Sequence, residues 1–526
     1  EVEVFAERLR RDEERVKQIY ARMERKGTTM GDHEKKTRRR RKKKEAREEE
    51  VVIGTSSYHA EKQMEGKDGE EDVVIGTPSY HAEKQMEGRD GEEDVVIGTP
   101  TYHAEKQMEG RDGEAMAKKS KSKIRSRSRS SYADSKEEED EEEGGMRTGP
   151  YGGHREGRGP ARNSSYSEKK VAGFITGPLI SGLNQGSGEY FTRFGLGTPP
   201  RFSYFVMDTG SDLSWTQCQP CQRCYNQSDP YFNPSASSSY QSVGCGASLC
   251  SQLLVKGCQA NMCLYQVSYG DGSFTVGDFA LEKFTFGKGT VVLKVAIGCG
   301  HDNEGLFQGA AGLLGLGNGK LSFPTQTKTQ FSYCLADRFQ GGSSELIFGR
   351  GAAPRGSVFT PMLKNPKLST FYYVGLDGIS VGGQLLQIPR SVFALQSDGS
   401  GGVIVDSGTS ITRLTAPAYV ALRDAFVAAT SDLPSAGSVS LFDTCYALGG
   451  MTSVSVPTVD FHYAGQAVTK LPAANYLIPV DTTGTFCFAF AGTNAAFSII
   501  GNMQQQGYRV SFNSAAARVG FAPNQC

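Results

Sequence analysis

The sequence predicts an all-β globule of at least two domains, set behind an N-terminal third that cannot build a core. Three observations carry that expectation. A chain of 526 residues is longer than one hydrophobic core serves. From Gly186 onward, short runs of Val, Ile, Phe and Tyr alternate with Gly, Pro, Asn and Asp at intervals of roughly 8–12 residues, the pattern of strands and tight turns. Finally, the neutral total of 58 basic and 58 acidic residues hides a division: Gly188 to Cys526 holds 20 Lys/Arg and 19 Asp/Glu, leaving 38 and 39 for the first 187 residues. The front third is thus a charged, poorly apolar polymer, and only the rest has a globular composition.

In chain order, residues 1–26 read as a helix, with Phe5, Leu9, Val16, Tyr20 and Met23 on one face. Residues 35–44 form a cationic block, a solvated run rather than a nucleic-acid arm. A 22-residue unit beginning Val-Val-Ile-Gly-Thr then recurs from Val51, Val73 and Val95. Each copy offers too little apolar material for a shared core, and the histidines in register, His59, His81 and His103, make a poor metal set. A Lys/Arg/Ser tract (118–131) and an acidic tract (137–143) complete a low-complexity insert over 27–168, expected to be largely disordered, and 169–187 is expected to be a linker.

Within the globular part, Tyr190–Gly197 alternates as a strand. Leu264–Val276 reads as a hairpin turning at Asp271-Gly272, and Ala416–Ala429 gives the best helix signal. The apolar run Tyr204-Phe205-Val206-Met207 ends in Asp208-Thr209-Gly210-Ser211. Taken singly this is an Asx turn closing a strand. The same grammar returns 198 residues later, where Val403-Ile404-Val405 leads into Asp406-Ser407-Gly408-Thr409, and two such carboxylates suggest a paired acid and base.

All twelve cysteines (Cys218, Cys221, Cys224, Cys245, Cys250, Cys258, Cys263, Cys299, Cys334, Cys445, Cys487 and Cys526) lie in the globular part, favouring disulfides and an oxidising compartment. Nine precede residue 335 and three follow 444; both counts are odd, so complete pairing needs a bridge between the halves, with Cys334–Cys526 the expected one. A metal reading of Cys218-x2-Cys221-x2-Cys224 has only His301 and His462 nearby in sequence to draw on, and no metal or other cofactor is expected.

From Gly186 to Cys526 these features resemble the pepsin-like aspartic endopeptidases, in particular the plant nepenthesin-type branch. The motifs that carry the resemblance are Asp208-Thr-Gly-Ser, Asp406-Ser-Gly-Thr, the Ser268-Tyr269-Gly-Asp-Gly-Ser hairpin, the cysteine-rich insert between Cys218 and Cys263, and the apolar-Gly segments Leu313-Leu314-Gly315 and Ile499-Ile500-Gly501. The resemblance implies a bilobal fold, with a lobe at 188–365, another at 366–526, and one aspartate from each meeting in a central cleft. It implies that Asp208 and Asp406 are catalytic, with Thr209 and Ser407 cross-linking the two loops. It further implies that Ser211 and Thr409 hold the outer carboxylate oxygens, that Gly210 and Gly408 permit close approach, and that Tyr269 rides on a flap over substrate. Residues 1–26 resemble a propeptide, while Trp215, the single tryptophan, is assigned to the core.

The expected activity is therefore acid-active hydrolysis of extended peptide or protein substrates by a zymogen-derived monomer. The alternative is a silent binding or inhibitor protein, since some plant relatives of this fold inhibit glycosidases, although those lack an intact aspartate pair. Rival enzyme motifs give little support: there is no HExxH, and Gly315–Lys320 only superficially resembles a phosphate loop. Nucleic-acid binding has no support from the near-neutral globular part. No stretch of 18 apolar residues predicts a membrane span. The start at Glu1 rather than Met points to a longer precursor, and Asn163-Ser-Ser and Asn226-Gln-Ser are glycosylation acceptors. Secretion to the apoplast is expected, with vacuole or chloroplast as alternatives.

Overall fold

The computed structural model describes residues 9–17 apart from 11 and 15, Glu92–Val96, and 174–526 apart from 186, 270–272, 306, 308 and 338–343. The chain divides into two units, Glu1–Tyr102 with Lys170–Cys526, and His103–Lys169; the second lies outside the described residues. So do the cationic block, the three histidines in register and the acidic tract.

The described globule is mostly strand, with short helical turns and one long helix. In its first half, β1 (Phe174–Ser181) pairs antiparallel with β2 (Tyr190–Leu196), and β2 with β3 (Arg201–Asp208). The stretch 169–187, expected as a linker, thus holds a strand, because Ile175 and Leu179 alternate inward into the core. After β4 (Trp215–Gln217), β5 (Met262–Ser268) and β6 (Phe274–Thr285) form the predicted hairpin; its tip, 270–272, lies outside the described residues. Strand β6 continues antiparallel to β7 (Val291–Glu304). Then β8 (Gly312–Gly315) runs parallel to β3, and β9 (Phe331–Cys334) pairs with β10 (Ser344–Gly349), which returns to β1.

The second half repeats the central device. Here β11 (Val403–Val405) leads into the second Asp loop, and β12 (Thr412–Thr415) leads into α1 (Ala416–Ala429). Pro417 suits the first turn of α1, and Ala418, Tyr419, Leu422 and Phe426 form its buried face. Strand β13 (Ser498–Ile500) runs parallel to β11 as β8 does to β3. Just before the loops these strands are buried on both faces, at Phe205–Met207, Leu313-Leu314, Val403–Val405 and Ile499-Ile500, which is why those stretches read as continuous apolar runs rather than alternations. The halves are stitched where β14 (Tyr508–Asn513) pairs with β9, Phe331 stacks on Phe512 at 4.9 Å, and Cys334 bonds to Cys526.

The other five disulfides are Cys218–Cys299, Cys221–Cys224, Cys245–Cys258, Cys250–Cys263 and Cys445–Cys487. All twelve cysteines are consumed, so the Cys218–Cys224 cluster has no thiolate left for a metal. Within the insert, Glu92–Val96 pairs antiparallel with Ser453–Pro457, with Val95 opposite Val454. Among the described residues these two strands pair only with each other, which gives the Val-Val dipeptide of the third repeat a place the repeat count did not suggest.

His301 fastens the cysteine-rich insert. One ring nitrogen lies 2.9 Å from the Pro220 carbonyl and the other 3.2 Å from Asp278 Oδ2. The hydrogen bond to the Asp278 carboxylate raises the His301 pKa, with burial opposing it. A group raised in the folded state stabilises fully below its unfolded pKa, and that stability fades as pH climbs through the folded value. His301→Gln is therefore expected to lower Tm more at about pH 5 than at about pH 9. Equal losses at the two pH values would remove the ion pair from this account.

Candidate active site

The site grows out of the two parallel strand pairs. Because β3 lies beside β8, with Met207 opposite Leu314 and Asp208 opposite Gly315, the chain leaves the apolar layer at Asp208 and turns. In the second half Val405 lies opposite Ile500, and Asp406 donates its backbone N–H to the Ile500 carbonyl at 3.0 Å. Glycine is required just beyond: a Cβ on Gly315 would lie 2.2 Å from the Asp212 carbonyl oxygen, and one on Gly501 would lie 2.7 Å from that of Ser410. Each glycine N–H is held by a hydroxyl six residues after its aspartate, Ser214 for Gly315 and Thr412 for Gly501, both at 3.0 Å.

Asp208 and Asp406 are fully buried and converge on Gly210, where an added Cβ would lie 3.2 Å from Asp208 Oδ1 and 3.0 Å from Asp406 Oδ1. Their supports are mirrored. Gly210 N–H donates to Asp208 Oδ1 at 2.7 Å, and Gly408 N–H to Asp406 Oδ1 at 3.2 Å. Ser211 Oγ donates to Asp208 Oδ2, and Thr409 Oγ1 to Asp406 Oδ2 at 2.7 Å. Between the loops, Ser407 N–H donates to Thr209 Oγ1 at 2.8 Å and Thr209 N–H to Ser407 Oγ at 3.1 Å. Thr209 Oγ1 in turn donates to Asp406 Oδ1 at 3.2 Å, and Ser407 Oγ to the Met207 carbonyl at 3.1 Å. Every hydroxyl and glycine singled out in the two motifs is thus in one hydrogen-bonded array.

Tyr269 follows β5, its N–H donating to the Ser273 carbonyl at 2.7 Å across the two arms of the hairpin. Its hydroxyl accepts from Trp215 Nε1 at 2.8 Å, and Phe307 packs edge-on to both rings. Trp215 is a core residue, as expected, but its indole N–H also ties the hairpin to β4. As the single tryptophan, it reports on this bond. Tyr269→Phe is expected to leave the buried N–H without its acceptor, costing about 1–3 kcal/mol and changing the tryptophan emission. Unaltered emission with unaltered unfolding midpoint would mean the bond is not formed.

Other site residues escaped the sequence reading. Asn502 Nδ2 donates to the Ser407 and Gly188 carbonyls at 2.9 and 3.0 Å, and Gln505 Nε2 to the Asp406 carbonyl at 3.2 Å. Tyr333 donates to Gln505 Oε1 at 2.5 Å; burial, with Asp406 a second cause, pushes its phenol well up, so it remains a donor. The amide-rich stretch Asn502-Met503-Gln504-Gln505-Gln506 after a buried apolar-Gly strand was the available signal. Among the described residues no group of three or more His, Cys, Asp or Glu could hold a metal ion, and no helix is long and apolar enough to cross a membrane.

Two β-rich halves, each delivering an Asp-hydroxyl-Gly loop to one shared contact, define the class of the pepsin-like aspartic proteases, and the chain belongs to that family. Residues 190–350 match the family described as Xylanase inhibitor N-terminal, and 371–523 the one described as Xylanase inhibitor C-terminal. Aspartyl protease family protein 2 of Arabidopsis thaliana is 57% identical over 70% of this chain and 76% of its own length. Protein ASPARTIC PROTEASE IN GUARD CELL 2 of the same plant is 53% identical, over 66% and 75%. Aspartic proteinase nepenthesin-1 of Nepenthes gracilis is 38% identical, over 68% and 83%. Among solved structures, the crystal structure of edgp shares the fold with a TM-score of 0.57 at 21% identity, covering 66% of this chain and 94% of that one.

Proposed function

We propose that this protein is an acid-active aspartic endopeptidase, made as a zymogen, secreted through an oxidising compartment, and acting as a monomer on extended peptide or protein substrates. The observation that carries the reading is the convergence of Asp208 and Asp406 on Gly210, each held by its own hydroxyl and amide donors. Two carboxyl groups so placed do not both ionise readily, so the pair shares one proton. The ionised member takes a proton from a water held between them as that water attacks the scissile carbonyl carbon. The protonated member hydrogen-bonds the carbonyl oxygen and stabilises the negative charge that develops there. On collapse the leaving nitrogen receives a proton from the dyad and the shared proton is restored. The Thr209–Ser407 cross-link keeps the two carboxylates in register, since small displacements are costly in catalysis. Tyr269, on its hairpin, would close over substrate and exclude water.

Six disulfides support the secretory route, and in this reading the chain is cut somewhere between the helix that includes Lys17 and the strand that begins at Phe174. The test is cleavage of denatured haemoglobin or casein at about pH 3–5 with and without pepstatin. Pepstatin-sensitive cleavage is expected. A second reading, a catalytically silent inhibitor, has the descriptions of the matched families in its favour. It requires that correctly folded, processed protein cleave nothing at any pH and bind a glycosidase.

A further inference from the structure

The two halves treat one equivalent position differently. The motifs are related by a constant offset of 198 residues, as in the Thr209–Ser407 pair, so Trp215 on β4 corresponds to Arg413 on β12. The pairing agrees: Trp215 lies opposite Leu313, Arg413 opposite Ile499, and these belong to the corresponding apolar-Gly strands. In the first half this position is covered by the half's own hairpin, through Tyr269. In the second half it is covered by a segment from the far end of the chain.

That segment is helical at residues 9–10, 12–14 and 16–17. Leu9, Asp12 and Val16 fall on one face and are all buried, while Arg10, Glu13 and Lys17 face solvent. Leu9 enters an apolar cluster with Ile411, Phe442, Ile478 and Met503. Val16 enters another with Phe371, Tyr373, Ile404, Phe497 and Ile499, the outer side of the strand pair that carries Asp406. Between them Asp12 accepts from the Ser410 N–H through Oδ1 and from the Ile411 N–H through Oδ2 at 3.2 Å. Its Oδ2 also lies 2.9 Å from Arg413 Nη2, both side chains being at most 3% exposed. Among the described residues no other acidic side chain pairs with Arg413.

We infer that this helix is a permanent structural member of the second half, severed from it by processing but not released, and that Asp12 is its anchor. Without the helix, a buried guanidinium would lose its counter-charge, two backbone N–H groups would lose their acceptor, and two apolar clusters would open to water. All of this would fall on the turn that begins one residue after Thr409, the residue holding Asp406 Oδ2. The contacts of Leu9, Asp12 and Val16 are to residues 410–413 and the outer clusters, so these three side chains brace the Asp406 loop from behind. The segment that resembles a propeptide therefore behaves as a non-covalent subunit after cleavage.

The experiment uses the full chain with a recognition sequence for a site-specific protease in place of residues 35–41. After cutting, the N-terminal fragment is expected to co-elute with the globule on native gel filtration and to separate only in denaturant. Separation on the native column with no change in Tm of the remaining chain would overturn the inference. A labelled peptide of residues 1–26 is then exchanged into the nicked protein. The Asp12→Ala peptide is expected to bind at least about 100-fold more weakly than wild type, as breaking one side of a buried ion pair requires, and Glu13→Ala within about threefold. Equal binding by Asp12→Ala removes the anchor. These arms use neutral, uncatalysed protein and do not depend on the protease reading. A third arm does rest on it: stripping the fragment is expected to lower proteolysis and adding peptide back to restore it, whereas a rise on stripping would mark the helix as an inhibitor.

Discussion

Asp208→Asn is expected to lower kcat/KM on a denatured protein substrate by at least about 10³-fold, with an unfolding midpoint close to wild type. Asparagine keeps the shape and an acceptor for the Gly210 N–H, but it can neither receive nor return the proton that the hydrolysis moves. Stability is spared because the carboxylate it replaces is fully buried, and neutralising a buried charge offsets the lost bond to Ser211. Asp406→Asn is expected to do the same. The double variant should be little worse than either single one, since residues acting as a unit are not additive. Activity is read against substrate at acid pH, and folding by thermal unfolding. A single variant that retains more than a tenth of wild-type activity would end the assignment of these carboxylates as a working pair.

How much of this was readable beforehand follows from where each contact's information lies. Asp208 and Asp406 stood out because a local grammar occurs twice, and the strands entering them are local apolar runs. Helix α1 was legible for the same reason, its start marked by Pro417 and its buried face by helical spacing. Trp215 was placed in the core and is there, but nothing local says that its N–H meets a hydroxyl 54 positions on. Asp12 was less legible still. It sits among Arg and Glu in a helix whose apolar positions suggested an interface, while its partner Arg413 lies some 400 residues away and looks like an ordinary strand residue. Polar side chains declare their role only through a partner, so pairs of high sequence separation are the contacts that a one-dimensional reading loses. Phe5, Tyr20 and Met23 of the expected helical face lie outside the described residues.

Replacing Cys334 and Cys526 by alanine together is expected to cost about 4–5 kcal/mol of stability, the largest loss available from any one disulfide here. The bridge spans 192 residues, whereas Cys221–Cys224 spans 3, and a cross-link restrains the unfolded chain more as the loop it closes lengthens. The shorter bridge should cost only about 1–2 kcal/mol. The loss should barely touch the site. The β9–β14 pairing, the Phe331–Phe512 stack and the bond from Arg509 to Glu345 remain to hold the halves together in the folded state. Because the effect enters through the unfolded ensemble, kcat at 25 °C should stay within about twofold while the denaturation midpoint falls steeply. Denaturant titration of the two double variants beside wild type ranks the bridges directly. If removal of Cys221–Cys224 costs more than removal of Cys334–Cys526, loop length is not what sets their value, and native-state strain or residual structure must be setting it instead.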